Sequence, residues 1–338
     1  MSFGFTRNAV DAGNLLFLTF KMASWGREFS SILGKKNIME NQAELVKKFT
    51  DVMADFTAYF GKHLPDDVQA KLEELRAEQT TDMAKIIYDA MFKDIALAKE
   101  LDRPMCQDTG VIQYFIEVGD RFPILGKMQQ ALAEATRRAT VQAPLRHNAV
   151  QIFDEKNSGN NTGHRIPWID WDIVPDSDEC VIYAYMAGGG CSLPGTAKVL
   201  MPVEGYEGIV QYIFDTMVER GINACPPVLV GVGIAGSVEV AARLSKKALM
   251  RPVGSHNPNP RGAEMERLLE EGLNKLNVGP GGLTGVKSVM GVNIEDAARH
   301  PSCLAVGISM GCWAHRRAAI KLHADMSYEL LSYKGVRL

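Results

Sequence analysis

From Asn41 to Leu64, apolar residues recur at helical spacing: Leu45, Phe49, Val52, Met53, Phe56, Tyr59 and Phe60. That period predicts an amphipathic helix with one buried face. Pro65-Asp66-Asp67 then supplies a fixed φ and negative charge for the first turn of a second helix. Thr80-Thr81-Asp82 opens a third, which runs to about Leu101 and stops before Pro104. Beyond it the pattern is mixed. Val111 to Val118 (VIQYFIEV) reads as a strand and Met128 to about Val141 as a helix. Val181 to Met186 (VIYAYM) is a strand leading into Gly188-Gly189-Gly190. Pro227 to Ile234 is a buried strand followed by a helix from Ser237 to Leu249. Pro280-Gly281-Gly282 begins a loop, and Leu304 to Ile308 is a final buried strand. No fixed-period repeat or low-complexity linker interrupts the chain. The expected architecture is α+β: a single compact domain with a helix-rich N-terminal part and mixed β-sheets flanked by helices. Its Gly-rich loops are expected to converge on a site.

The first 38 residues read differently. Leu15 to Phe20 (LLFLTF) is an apolar run too short to span a bilayer. It is also short for an export signal, and Asp11 precedes it. Residues 1–38 are therefore expected to be a poorly ordered N-terminal extension, and 40–338 the functional domain. Composition narrows the class further. The 338 residues are 46% hydrophobic and 23% charged, the balance of a globular enzyme rather than a disordered or membrane protein. A net charge of −3 without a long basic run argues against a general nucleic-acid binder.

Six cysteines in a chain of this length do not make a secreted disulfide framework. Reduced thiols in the cytoplasm fit better. Three of them, Cys106, Cys225 and Cys312, sit in polar or Gly/Pro-flanked settings: PMCQDTG, NACPPV and SMGCWAHRR. Thiolates gathered from separate loops suit an iron–sulfur cluster, and three of them leave one iron free for substrate. Zinc fingers and ferredoxins give close C-x-x-C pairs, which are absent here. Cys180 and Cys303 lie in strand-like sequence and are expected to be small buried hydrophobes. Cys191 follows three glycines and rivals any of the three as a ligand.

Other candidates carry complementary chemistry. Gln107 and Asp108 follow Cys106 directly, placing an amide and a carboxylate beside it. Arg146 and His147 lie in PLRHNAV, a polar break between a helix and a strand, and arginine is suited to bidentate carboxylate binding. The triple glycine offers unobstructed amides for a carboxylate. His300 precedes a proline and lies one strand before Cys312. Gly231, Gly233 and Gly236 also spell G-x-G-x-x-G after a strand, the pattern of a dinucleotide-binding turn. No acidic residue ends a second strand where a ribose would be held, although Arg251 would suit a phosphorylated one. Tight strand-to-helix packing is the expected reason for these glycines.

Together the segments CQDTG, LRHNA, AGGGCSLPG, NACPPVLVGVGI, GPGGLTG, ARHPS and GCWAHRR resemble the α subunits of the iron–sulfur-dependent class I fumarase and L(+)-tartrate dehydratase family. The resemblance covers nearly all of residues 40–338 and implies a hydro-lyase. It places the three ligands of a 4Fe–4S cluster on Cys106, Cys225 and Cys312. Cys191 falls where fumarases tend to have serine, which argues against it. The same resemblance puts Gln107, Asp108, Arg146, the Gly189 amide and His300 against substrate. Asp108 would take part in proton transfer, and His300 would position and polarise the substrate.

Two branches share this apparatus, one interconverting fumarate and malate, the other dehydrating L-tartrate to oxaloacetate. His147 after Arg146, the loop GGGCSLPG and the segment GCWAHRR resemble the tartrate branch. Fumarase activity is the alternative, and an NADP-dependent or non-catalytic protein a more distant one. Single-chain relatives of the family carry a second domain with further basic residues. The resemblance therefore implies a separate β subunit completing the site, in an α2β2 assembly acting on a small dicarboxylate in the cytoplasm, with no nucleic acid and no membrane.

Overall fold

In the computed structural model, described for residues 39–338, the first periodic segment forms helix α1 over residues 39–62. The expected extension, 1–38, lies outside the described residues. Helix α1 buries Phe49, Met53, Phe56 and Phe60, the stripe its period marks. Helix α2 (Asp66–Ala77) starts behind Pro65, with Asp66 and Asp67 in its first turn. Helix α3 (Asp82–Glu100) is capped by Thr81, whose side chain accepts the Ala84 N–H at 3.3 Å.

Strand β1 (Val111–Gly119), helix α4 (Met128–Gln142), strand β2 (Trp168–Val174) and strand β3 (Cys180–Ala187) follow. With β8 (Arg317–Leu322) and β9 (Tyr328–Leu330) they build a five-stranded sheet of order β2-β1-β3-β8-β9. Only the β1–β2 pair is parallel. Ile112, Tyr114, Ile116 and Val118 alternate along β1 onto one face, where α1 and α4 cover them. The short turn α5 (Gly189–Ser192) leads to β4 (Thr196–Leu200), α6 (Gly205–Arg220), β5 (Val228–Ala235), α7 (Val238–Ala248), α8 (Pro260–Asn274), β6 (Val289–Asp296) and β7 (Leu304–Gly311). These strands form a second mixed sheet, β4-β7-β5-β6. Strand β7 is buried throughout and β5 at every residue but Ile234, because helices pack on both faces.

The G-x-G-x-x-G glycines have the packing role expected of them. A Cβ on Gly231 would come 2.2 Å from the Ser245 carbonyl oxygen, and one on Gly233 2.0 Å from that of Ala241. Helix α7 thus lies directly against β5. Arg251, the candidate for a phosphorylated ribose, is occupied: Nη1 donates to Glu266 at 2.8 Å and to the Ile294 carbonyl at 3.0 Å. A dinucleotide turn finds no support here.

A third core joins the two sheets. Val68 and Leu72 of α2 and Tyr88 and Met91 of α3 meet Phe115 and Tyr185 of the first sheet and Leu229 and Met290 of the second. Cys312 and Trp313 pack at its margin. Val111 pairs with Ala187 in one sheet, and Leu229 with Gly311 in the other. The loops beyond those four residues therefore emerge at one junction. Among the described residues no helix is long and apolar enough to cross a membrane.

Two local expectations are corrected. PLRHNAV leads into irregular chain as far as Pro167, not directly into a strand. Cys303 sits in the turn before β7 and is only half-buried, because the strand begins one residue later. Cys180 is buried in β3, and burial pushes its thiol well up.

Candidate active site

The CQDTG loop enters β1 at the junction by means of Gly110, whose φ is +82°. A Cβ there would come 2.5 Å from the Ala187 carbonyl carbon and 2.7 Å from the Gly188 nitrogen. No L side chain fits both that φ and that approach. The contact brings Asp108 onto the triple-glycine loop. Its Oδ2 accepts the Gly189 N–H at 2.7 Å, and its Oδ1 accepts the Gly110 N–H and Asn148 Nδ2, both at 3.1 Å. The Gly189 amide, expected against substrate, is engaged by Asp108.

Arg146 reaches the same place on a tethered loop. Its N–H donates to Thr109 Oγ1 at 3.0 Å, and its carbonyl accepts Asn161 Nδ2 at 3.0 Å. Buried Asn161 also accepts the Asn148 N–H at 2.7 Å. Arg103, Cys106, Gln107, Thr109 and Arg146 line one cleft of about 230 Å³. Neither arginine side chain has an acidic partner among the described residues. A larger groove of about 440 Å³ between α2 and α3 holds no thiol, and its Arg76 is paired with Asp89.

Cys225 follows a 3-10 turn in the left-handed region, at φ 53°, and is exposed. Its carbonyl accepts the Trp313 N–H at 3.2 Å, which ties its turn to that of Cys312. Burial raises the Cys225 thiol pKa, and the nearby charges of Cys191 and Cys106 raise it further. Cys191 and Cys312 share a hydrogen bond, which favours ionising Cys191 and disfavours ionising Cys312. Four thiols from four loops are therefore neighbours. Among the described residues no three His, Cys, Asp or Glu side chains converge as ligands of a single metal ion. Ionised thiolates here would concentrate negative charge at the junction.

A second observation points the same way. Arg316 is 2% exposed, and its Nη2 donates to the Asp108 carbonyl at 2.8 Å. Its Nε and Nη1 have no partner among the described residues. A buried cation left open in this way calls for an anion. Its charge acts on Cys191 and Cys312. The Tyr185 hydroxyl, buried without an oxygen or nitrogen partner, faces the Cys191 sulfur. His315 donates through Nε2–H to the Leu249 carbonyl, 3.0 Å away. A Cβ on Gly311 would come 2.2 Å from its Nδ1, so the glycine before Cys312 makes room for the ring.

His300 is not brought to this place within the chain. It lies beyond the other end of β5, where a Cβ on Gly236 would sit 3.2 Å from its backbone nitrogen. The register runs from Leu229–Gly311 at the thiol end to Ala235–Ala305 at the His300 end. Six residues of strand separate those ends by about 20 Å. The strand between His300 and Cys312, β7, accounts for that separation.

Four residues of the junction escaped the sequence reading: Arg103, Asn148, Asn161 and Arg316. Arg103 and Arg316 flank the Cys106 and Cys312 motifs closely, and Asn148 lies within LRHNA. Asn161 has no such signal, since its loop is irregular.

Residues 50–321 match the family described as Fumarate hydratase (Fumerase). The chain belongs to the fumarate hydratase family. It is 58% identical over 293 residues to the L(+)-tartrate dehydratase subunit alpha of Escherichia coli strain UTI89, covering 87% of this chain and 97% of that protein. The corresponding subunit of strain K12 is 57% identical over the same lengths. A putative L(+)-tartrate dehydratase subunit alpha from Methanocaldococcus jannaschii is 34% identical over 281 residues, 82% of this chain and 99% of that one. The family and the hydro-lyase class expected from the motifs are those found.

Proposed function

We propose that this chain is the catalytic α component of an iron–sulfur hydro-lyase that dehydrates L(+)-tartrate to oxaloacetate, working with a β subunit in an α2β2 assembly. One observation carries the reading: two unpaired arginines, a cysteine and, beside them, a fixed carboxylate meet at one junction. The similarity to tartrate dehydratase α subunits supports the choice of substrate. Cys106, Cys225 and Cys312 are the proposed ligands of a 4Fe–4S cluster, with Cys191 the neighbour that holds Cys312 by a hydrogen bond. When bound, that cluster supplies Lewis acidity toward the leaving hydroxyl.

The chain's own residues do the rest. Arg103 and Arg146 offer planar forks to substrate carboxylate. Gln107 adds an amide at the same cleft. Asp108 takes the proton from the carbon next to the departing hydroxyl, and its return to the released hydroxide leaves the enol of oxaloacetate, water and the free carboxylate. Its three N–H donors fix its aim, so Gly189 serves the reaction by holding Asp108. His300 takes no part in the steps derived for one chain. A dicarboxylate needs donors at both ends, and the β subunit is the proposed source of those missing here. The reducing cytoplasm suits the open thiols.

The test is an assay of the α/β complex, purified anaerobically, on L-tartrate, fumarate and malate. Tartrate should turn over, and the α chain alone should be inactive. Asp108→Asn should lower kcat by about a hundredfold or more without changing iron content. A complex with its full iron and sulfide that hydrates fumarate but ignores tartrate would move the chain to the fumarase branch. Failure to bind iron and sulfide at all would end the proposal.

A further inference from the structure

We propose that Arg316 is the counter-cation of the thiol site, a positioning residue that couples retention of the bound anionic group to the placement of Asp108. The inference rests on the iron–sulfur reading above and adds a residue to it. Arg316 is among the largest fully buried side chains of the protein. Burying an unpaired guanidinium is costly, and a buried arginine is ordinarily matched by a carboxylate. None is paired with Arg316 among the described residues, whereas the adjacent Arg317 is paired with Asp67. Arg316 instead makes one hydrogen bond, from Nη2 to the Asp108 carbonyl, and keeps Nε and Nη1 open. Its charge acts on the sulfurs of Cys191 and Cys312 and favours the ionised form of each.

Two consequences follow from that geometry. The open N–H groups favour the state in which the thiols carry an anionic group, and disfavour the empty state in which the guanidinium stands alone. The same guanidinium holds the backbone of Asp108. Filling the thiol site and aligning Asp108 are then linked through one side chain. Its backbone contributes as well: the Arg316 carbonyl accepts the Met186 N–H at 3.1 Å, just before the triple-glycine loop.

The test compares wild type, Arg316→Gln and Arg316→Lys as reconstituted α/β complexes. Iron and sulfide content, the reduced-cluster spin-resonance spectrum, and the rate of iron loss to a chelator in air are measured. Glutamine keeps a donor for the Asp108 carbonyl but removes the charge. We expect iron loss about tenfold faster in Arg316→Gln, with an altered spectrum, as for the loss of a partner supporting a metal site. Lysine keeps the charge as a compact ammonium. It should hold iron within about threefold of wild type, while kcat falls because the Nη2 hydrogen bond to the Asp108 carbonyl is gone. Wild-type retention in Arg316→Gln, or loss in Arg316→Lys as fast as in Arg316→Gln, overturns the proposal. Should Arg316→Gln not fold, Arg316→Lys against wild type decides: about threefold supports it, about tenfold ends it. Wild type that binds no iron defeats the iron–sulfur reading itself, a distinct result.

Discussion

Two aspartate–arginine joints hold the helical layer to the sheets, and they are built in opposite ways. At one, Asp67 of α2 pairs directly with buried Arg317 at the start of β8, and also accepts the Val253 N–H at 2.6 Å. Arg317 Nη1 donates to Ser332, leaving Nε without a partner. At the other, Arg316 touches Asp108 only through the backbone carbonyl, and the Asp108 carboxylate is held by amides. The first joint neutralises its charges internally. The second keeps a carboxylate and a guanidinium apart, each available to a third group. Adjacent residues in the chain thus serve stability and chemistry separately, and a paired carboxylate, present at Arg317 and absent at Arg316 among the described residues, marks which is which.

The sharpest way to break this comparison is at the thiols. Cys225→Ser should abolish or badly impair cluster assembly and cut kcat/KM by more than about a hundredfold, roughly 2.7 kcal/mol of transition-state stabilisation. Cys180→Ser, in the β3 core, should leave the iron content unchanged and mainly cost stability. A Cys225→Ser enzyme with its full iron, sulfide and rate would remove that thiol from the ligand set and leave Cys191 as its replacement.

At the closed joint the effect belongs to stability. Arg317→Met leaves Asp67 without its partner, and breaking such a buried pair costs about 3 kcal/mol. Denaturant unfolding should show that loss, while the iron content of the folded fraction stays at the wild-type level. A fall in iron retention matching that of Arg316→Gln would mean that the two joints are not separate.

The division between the joints also explains what was legible in the sequence. Helices α1 to α4 and strands β1, β3, β5 and β7 follow from period and caps, because each buries one or both faces. The motif cysteines other than Cys303 lie in turns or strands as read, and the glycines of β5 are packing residues as expected. Helix α6 (GYEGIVQYIFDTMVER) is hidden because two early glycines and scattered apolar residues blur its face. Helix α8 carries plain signals that the period alone does not weigh, Pro260 in the first turn and Asn259 accepting the Arg261 N–H at 3.0 Å. Strand β9 is too short to show a period. At the site, Asp108 and Arg146 are legible by charge beside a motif. His300 rests on the family resemblance, and within one chain it lies at the far end of β5 from the thiols. Arg316 is missed because burial of a charged residue is a tertiary fact, invisible in one sequence.

A smaller effect tests the open cleft. Arg103→Lys and Arg146→Lys each keep the charge and lose the planar fork. Each should lower kcat/KM about tenfold, roughly 1.4 kcal/mol, with iron content intact. Unchanged kinetics in Arg103→Lys would take it out of the substrate cleft and leave Arg146 alone there.

The smallest predicted effect concerns pH and lies between the two joints. His315 is buried, and burial pushes its pKa down to about 3, with the charges of Arg317, Lys246 and Arg316 adding to the shift and the Leu249 carbonyl opposing it. An unfolded histidine titrates near about 6.5. The folded protein therefore refuses a proton that the unfolded chain accepts. The full contribution of His315 to stability is present above about pH 6.5 and is lost progressively as pH falls from there toward about 3. Between about pH 7 and about pH 6 the loss from this one group is roughly half a kcal/mol. Urea unfolding of the chain without added iron should show that slope, and His315→Gln should flatten it. A slope untouched by the substitution would mean that the buried ring is already charged when folded. The open guanidinium of Arg316 would then share its buried surroundings with a second buried cation.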